Sequence, residues 1–109
     1  MPRDYKVYLE DILEAVQKIR SFTAGYSREK LMQDAKTLDA VVRNLEVIGE
    51  AVKHIPNDLR TKHPHMDWKK IAGLRDILIH EYFGIDVDII WDILQTKLTP
   101  LEKAVKEIK

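Results

Sequence analysis

Apolar residues recur at steps of three and four along most of the chain, which is the spacing of one face of an α-helix. The first stripe runs from Tyr5 to Ile19, and Gly25 then breaks it with a turn. Ser27 is placed to cap a second helix. The most regular stripe of the chain lies in that helix and ends before a proline (Leu38, Val41, Leu45, Ile48, Val52, Ile55, then Pro56). The pattern predicts one continuous helix of roughly 28 residues, or ~40 Å.

The second half of the chain begins with a polar connection over residues 56–67, PNDLRTKHPHMD, which has room for one short helical turn. A third helix is predicted to start near Asp67 and to end around Tyr82–Gly84, where glycine suits a left-handed C-cap. Its predicted core stripe comprises Trp68, Ile71, Leu74 and Leu78.

Two further helix starts follow. Asp86 is the predicted N-cap of a fourth helix over VDIIWDILQTKL. The sequence TPLE at 99–102 has the form of a capping box, with Thr99 as the cap, Pro100 at the first helical position and Glu102 closing the box. It predicts a short last helix with an apolar face (Leu101, Val105, Ile108).

No stretch shows the alternation typical of β-strands, and the evident turns between helices disfavour a long coiled coil. The predicted fold class is therefore all-α. We expect a single domain over residues 1–109, an antiparallel bundle of four main helices plus a short C-terminal helix.

Composition narrows the possible functions. Lys plus Arg (18) balances Asp plus Glu (18), which disfavours a duplex DNA binder that acts through bulk positive charge. The chain has no cysteine, which excludes disulfides, thiolate zinc sites and cysteine nucleophiles. No apolar run approaches the ~18 residues of a membrane span. We expect a cytoplasmic protein that needs no membrane.

The segment RDILIHEYFGID, residues 75–86, contains arginine, histidine and tyrosine side chains in an otherwise apolar predicted helix. At 100° per residue, Arg75 and His80 lie roughly 140° apart, too far round the helix to form one compact site. Ala72 and Ile79 lie between them and give the helix a second apolar face. A second apolar face needs a second partner, so we expect a symmetric homodimer that brings two copies of Arg75 and His80 into one groove.

Such a groove suits cleavage of RNA without a metal or cofactor. Arginine binds the scissile phosphate, and histidine exchanges protons near neutral pH. Asp76, four residues before His80, is placed to orient its imidazole. A structural ion pair of Arg75 with Asp76 or Glu81 explains the same spacing, so the spacing alone leaves both interpretations open.

The same segment resembles the signature of the HEPN superfamily, and in particular its HepT-like branch. The family motif of arginine, four residues, histidine, one residue and tyrosine falls here on Arg75, His80 and Tyr82. Aspartate follows the arginine where the family often has asparagine. Three further stretches agree in order and distance, so the resemblance covers nearly the whole chain: RNLEVIGEAVKHIP, HPHMDWKKIAGLRD and DIIWDILQTKLTPL.

The resemblance implies an all-α homodimeric ribonuclease toxin with Arg75 and His80 at the dimer cleft. It further implies a cognate MntA-like nucleotidyltransferase antitoxin that transfers AMP to Tyr82, which completes the site. Two other interpretations remain open. One is a non-catalytic helical module that binds nucleotide or RNA and partners a minimal nucleotidyltransferase, and the other is a purely structural dimer.

The remaining polar candidates are interpreted more plainly. The loop histidines lack the spacing of metal ligands, so no metal site is predicted (His54, His63, His65). Three charged residues of the second helix are expected to form an intrahelical ion-pair face (Arg43, Glu46, Glu50). Asn44 is a possible cleft residue, and Trp68 and Trp91 are expected to anchor the core. Lys69 and Lys70 are interpreted as a solvated face, with contact to RNA backbone as the alternative.

Overall fold

The structure is a computed structural model that describes residues 4–74, 76, 78 and 87–109. Every regular element in these residues is helical, which confirms the predicted all-α fold class. Leu74, Asp76 and Leu78 are helical as well. The helices are α1 (Tyr5–Phe22), α2 (Arg28–Gln33), α3 (Ala35–Val52), α4 (Asn57–Arg60), α5 (Trp68–Ala72), α6 (Val87–Thr96) and α7 (Leu98–Ile108).

Helices α1 and α3 pack along each other in antiparallel directions. The ring of Tyr8, near the start of α1, stacks on the ring of His54, just after α3, with centroids 4.0 Å apart. Helix α7 is also antiparallel to α1, because Arg20 late in α1 binds Glu102 early in α7, while Glu10 early in α1 pairs with Lys109. The predicted antiparallel bundle therefore holds for these three helices.

The predicted stripes form the core. Leu9, Ile12, Val16 and Ile19 of α1 are fully buried. They share one cluster with fully buried residues of α3 (Val41, Leu45, Ile48, Val52) and with buried residues of α6 and α7 (Ile90, Ile93, Leu98, Leu101, Ala104, Val105). Burying each large aliphatic side chain contributes about 1.5–3 kcal/mol, so these stripes supply most of the driving force for folding.

The predicted continuous second helix is wrong, because Asp34 divides it into α2 and α3. The backbone of Asp34 is not helical, with φ −111° and ψ 83°. Its carboxylate accepts hydrogen bonds from the Thr37 backbone N–H at 3.1 Å, the Thr37 hydroxyl at 2.7 Å and the Tyr26 hydroxyl at 2.6 Å. These side-chain bonds offer the backbone an alternative to the helix ladder. The predicted cap at Ser27 is confirmed, since its hydroxyl accepts from the Lys30 N–H.

The predicted capping box at 99–102 is also wrong. Helix α7 begins at Leu98 after a single turn residue, and its first turn has no side-chain cap. Thr99 and Glu102 bind Arg20 instead: the guanidinium donates to the Thr99 hydroxyl at 3.0 Å and to the Glu102 carboxylate at 2.8 Å. A charge-assisted hydrogen bond is stronger than a neutral one. Thr99 and Glu102 therefore accept from the Arg20 guanidinium rather than from the backbone N–H groups of α7.

The third predicted helix begins as expected, because the Asp67 carboxylate caps it by accepting from the Lys70 N–H at 3.0 Å. Gly73 interrupts it as the C-cap of α5. The predicted end at Tyr82–Gly84 and the predicted cap Asp86 lie outside the described residues. The short helical turn expected between residues 56 and 67 is confirmed as α4.

A positive φ of 76° at Gly25 confirms the turn predicted after α1. No helix in the described part of the chain is long and apolar enough to cross a bilayer.

Asp34 gives a test of the α2–α3 junction. Hydrogen bonds from Tyr26 and Thr37 lower the pKa of Asp34 from 3.8 to about 2. We expect Asp34→Ala to lower the melting temperature at pH 7 by about 5 °C, a usual effect of losing a helix cap in a domain of this size. Asp39→Ala, which removes an exposed carboxylate of α3, is the matched control and should change it little.

The difference between Asp34→Ala and the native chain should depend on pH. The folded-state pKa lies below that of the unfolded chain, so the contribution of Asp34 is complete well above pH 3.8 and is lost as the pH falls toward 2. Thermal melts followed by circular dichroism between pH 7 and pH 2.5 measure this. A difference in melting temperature between the native chain and Asp34→Ala that stays constant over this pH range would contradict the role assigned to the carboxylate.

Candidate functional site

The three motif residues Arg75, His80 and Tyr82 lie outside the described residues, as does Ile79 of the predicted second apolar face. Their predicted roles therefore stay predictions. The structure does describe the elements on either side of the motif, and these determine where the segment is attached to the bundle.

On the N-terminal side, the predicted core stripe is confirmed. Ile71, Leu74 and Leu78 are all buried, and α5 packs on α3. Asp76, between the last two, is helical and exposed. Its carboxylate makes no hydrogen bond or ion pair with any other described residue.

On the C-terminal side, α6 is tied to the N-terminal half of the chain. Arg28 of α2 forms an ion pair with Asp88 in the first turn of α6. The hydrogen bond from Arg28 lowers the pKa of the Asp88 carboxyl. Because α2 packs on both α3 and α6, it fixes the start of α6 against the bundle.

Asn44, the possible cleft residue, is half-buried on α3. Its side-chain amide donates a hydrogen bond to the Ala40 carbonyl at 2.8 Å, one turn earlier in the same helix. The amide nitrogen is thus engaged within α3, while the side-chain oxygen remains an acceptor. A role for Asn44 at a cleft stays a prediction.

A groove between α1 and α3 brings together charged residues that the sequence did not connect. Tyr8 and Asp11 of α1 face Arg43, Glu46 and Glu50 of α3. The predicted ion-pair face of Arg43, Glu46 and Glu50 is wrong for the described residues, because Glu50 pairs with Lys53 at 3.5 Å and His54 at 4.0 Å rather than with Arg43. The groove therefore combines three carboxylates and one guanidinium, and one of the carboxylates, Glu50, is paired with Lys53. The helical spacing of Arg43, Glu46 and Glu50 was the only sequence signal for it.

The histidines outside the motif have structural contacts. His54 stacks on Tyr8, and His63 is buried with its Nδ1 3.5 Å from a Glu107 carboxylate oxygen. Among the residues that the structure describes, no three histidine, cysteine or acidic side chains are grouped as metal ligands. Trp68 is buried as predicted, and Trp91 is partly buried against the core.

Comparison with known proteins identifies the family. The family model described as "Ribonuclease HepT-like" matches residues 12–108. A Thermococcus cleftensis protein named "Probable ribonuclease HepT" is 43% identical, over 100% of this chain and 99% of its own length. Two relatives whose names designate RNases are each 48% identical. One, from Methanocaldococcus jannaschii, aligns over 99% of this chain and 90% of its own; the other, from Caldanaerobacter subterraneus, aligns over 93% and 90%.

No solved structure matches the chain significantly. The family model, however, spans nearly all of the sequence, and the relatives align from end to end. The described all-α bundle, with a buried helical stripe at Ile71, Leu74 and Leu78 leading into the motif segment, is consistent with that match. The chain therefore belongs to the HepT-like ribonuclease family.

Proposed function

We propose that this chain is a metal-independent endoribonuclease that acts as a homodimer and serves as the toxin of a toxin–antitoxin pair. The observation that carries the proposal is the coincidence of the HepT-like family match over residues 12–108 with arginine, histidine and tyrosine at the motif positions 75, 80 and 82. The ribonuclease names of full-length relatives support the substrate class.

The proposed reaction is an internal transesterification of RNA. One His80 imidazole takes the proton of a ribose 2′-hydroxyl, and the 2′-oxygen attacks the adjacent phosphorus. The bond from phosphorus to the 5′-oxygen breaks, and a protonated His80 of the second copy gives that oxygen its proton. The products are a 2′,3′-cyclic phosphate and a 5′-hydroxyl. Arg75 stabilises the charge that develops on the phosphate.

The proposed dimer rests on the spacing of these groups along the helix that the sequence predicts. Arg75 and His80 are roughly 140° apart at 100° per residue, so one helix face does not offer both to one phosphate. Two copies related by a two-fold axis supply an arginine and a histidine from each side, together with a base and an acid. Asp76, which is exposed, is the proposed group that orients the imidazole.

Tyr82 is the proposed control point. A nucleotidyltransferase antitoxin would transfer AMP from ATP to the phenolic oxygen, forming a phosphodiester, releasing pyrophosphate and displacing the phenolic proton. The added phosphate is negatively charged and bulky, and it lies two residues from His80 in the sequence. It would compete with RNA for Arg75 and repel the substrate backbone.

Cleavage of RNA in the presence of EDTA tests the proposed activity. We expect the native protein to cleave total RNA, and Arg75→Ala and His80→Ala each to lower the rate by about 100-fold or more, as loss of an electrostatic or acid–base group usually does. Arg43→Ala is the matched control, since Arg43 is an exposed arginine outside the motif, and its rate should be close to native.

Two outcomes would contradict the nuclease. One is equal cleavage by the native protein and both motif variants, which would indicate a contaminating enzyme. The other is no cleavage by the native protein under any condition that preserves its helical circular dichroism. RNA binding without cleavage would favour the non-catalytic binding module.

The proposed dimer has its own measurement. Light scattering at micromolar concentration should give twice the mass of one chain. Ile79→Glu, which places a charge on the predicted second apolar face, should shift the protein toward monomer and abolish cleavage together with dimerisation. Met32→Glu, at an exposed apolar residue of α2, is the control and should remain dimeric. A native monomer that cleaves RNA would refute the shared groove.

Intact mass spectrometry after co-expression with the cognate nucleotidyltransferase tests the modification. The mass should rise by whole AMP units, and the modified protein should lose its ribonuclease activity. Tyr82→Phe should abolish the increase because it removes the accepting oxygen, whereas Tyr5→Phe should leave it intact. An equal increase in Tyr82→Phe would assign the modification to another residue.

A further inference from the structure

Positive charge is concentrated in residues 60–70, RTKHPHMDWKK, which we call the basic loop, although the whole chain has no net charge. The loop holds four lysine or arginine residues (Arg60, Lys62, Lys69, Lys70), two histidines (His63, His65) and one acid, Asp67. The Asp67 carboxylate accepts the hydrogen bond from the Lys70 N–H that caps α5. A local basic surface of this kind is the electrostatic feature that nucleic-acid backbones recognise.

Three lysines of the basic loop are available to a ligand. Lys62, Lys69 and Lys70 are exposed, and none of them forms an ion pair with another residue in the described ranges. Two acids of the described residues lie beside the loop: Asp58 lies in α4 just before it, and Glu107 faces the buried His63. Neither of these carboxylates pairs with a lysine of the loop.

The side chain of Trp68 holds the two ends of the basic loop together. Its indole N–H donates to the Arg60 carbonyl at 3.0 Å and to the His63 carbonyl at 3.1 Å. The ring itself is buried, so the loop is folded over the start of α5. Lys62 lies between Arg60 and His63, so these two bonds hold its backbone against the Trp68 side chain, and Lys69 and Lys70 follow Trp68 directly in the chain.

The excess of lysine and arginine over acidic residues in the basic loop would attract a phosphodiester chain. Lys70 precedes Arg75 by five residues, a separation that an extended chain spans in at most ~18 Å. One RNA strand is long enough to contact both.

From this placement we propose that the basic loop binds the phosphate backbone of the RNA substrate and holds it beside the motif segment. The inference rests on the proposed ribonuclease function and adds a second contact surface to it. Lys62, Lys69 and Lys70 are positioning residues, because they contact phosphates away from the bond that breaks. Lysine acts as a point charge, so the surface adds affinity without selecting a base sequence.

Binding of a 2′-O-methylated single-stranded RNA tests the inference without cleavage, because this RNA lacks the attacking hydroxyl. The affinity is measured by fluorescence anisotropy from 50 to 300 mM salt, a range in which phosphate contacts weaken strongly. The loop variant is Lys62→Gln/Lys69→Gln/Lys70→Gln. The control variant, Lys6→Gln/Lys36→Gln/Lys103→Gln, removes the same charge from exposed lysines elsewhere. Both should fold normally, because all six side chains are on the surface.

We expect the loop variant to bind at least ~10-fold more weakly than the native protein at low salt. The slope of log affinity against log salt should fall by about 2, since each phosphate contact to a single strand contributes about 0.7. With cleavable RNA, KM should rise while kcat stays near native. The control variant should keep most of the native affinity. This result would distinguish binding by the basic loop from a nonspecific effect of removing three positive charges.

Equal affinities of the native protein and the loop variant would overturn the inference and leave an acidic protein as the partner of this surface. An equal loss in both variants would also overturn it. If the native protein binds the methylated RNA through the loop but cleaves no ordinary RNA, the nuclease proposal fails while the binding surface stands. If it binds no RNA at all, both proposals fail.

Discussion

The apolar stripes of α1 and α3 bury each other, and most other elements are positioned by contact with one of these two helices. Helices α2 and α5 pack on α3, and α7 packs on α1. The Leu, Ile and Val side chains between these helices are fully buried. Protein interiors are densely packed, so we expect α1 and α3 to keep a fixed position relative to each other. The antiparallel pair therefore acts as the rigid base from which α5 leads toward the motif and on which α2 supports α6.

Polar contacts between distant parts of the chain set the orientation of the remaining helices. Arg20 links α1 to two acceptors of α7, and Arg28 links α2 to the start of α6. The Asp88 side chain is exposed, and an exposed ion pair contributes at most ~1 kcal/mol, so the pair with Arg28 matters more for the orientation of α6 than for stability. These polar contacts select one arrangement of helices whose apolar faces would tolerate several.

The apolar faces of the helices could be predicted from local periodicity, whereas some helix boundaries and side-chain contacts could not. The stripes of α1, α3, α5 and α7 were predictable because burial recurs with the helical repeat. The break at Asp34 was missed although part of its signal is local, because the carboxylate caps α3 through Thr37 and the Tyr26 hydroxyl adds a third hydrogen bond. The capping box failed because of a distant partner, since Arg20 is 79 residues from Thr99. For the candidate site, the family resemblance predicted the roles of Arg75, His80 and Tyr82. The grouping of the lysines around Trp68 could be recognised only from the structure.

The ion pair between Glu10 and Lys109 has a consequence for how this domain is combined with others. It brings the end of α7 beside the first third of α1. The contact between His63 and Glu107 places the same end of α7 next to the basic loop. A fused domain or an affinity tag joined at residue 109 would begin beside that surface. A bulky group placed there would restrict the access of a polyanion to the basic loop without changing any residue of the motif.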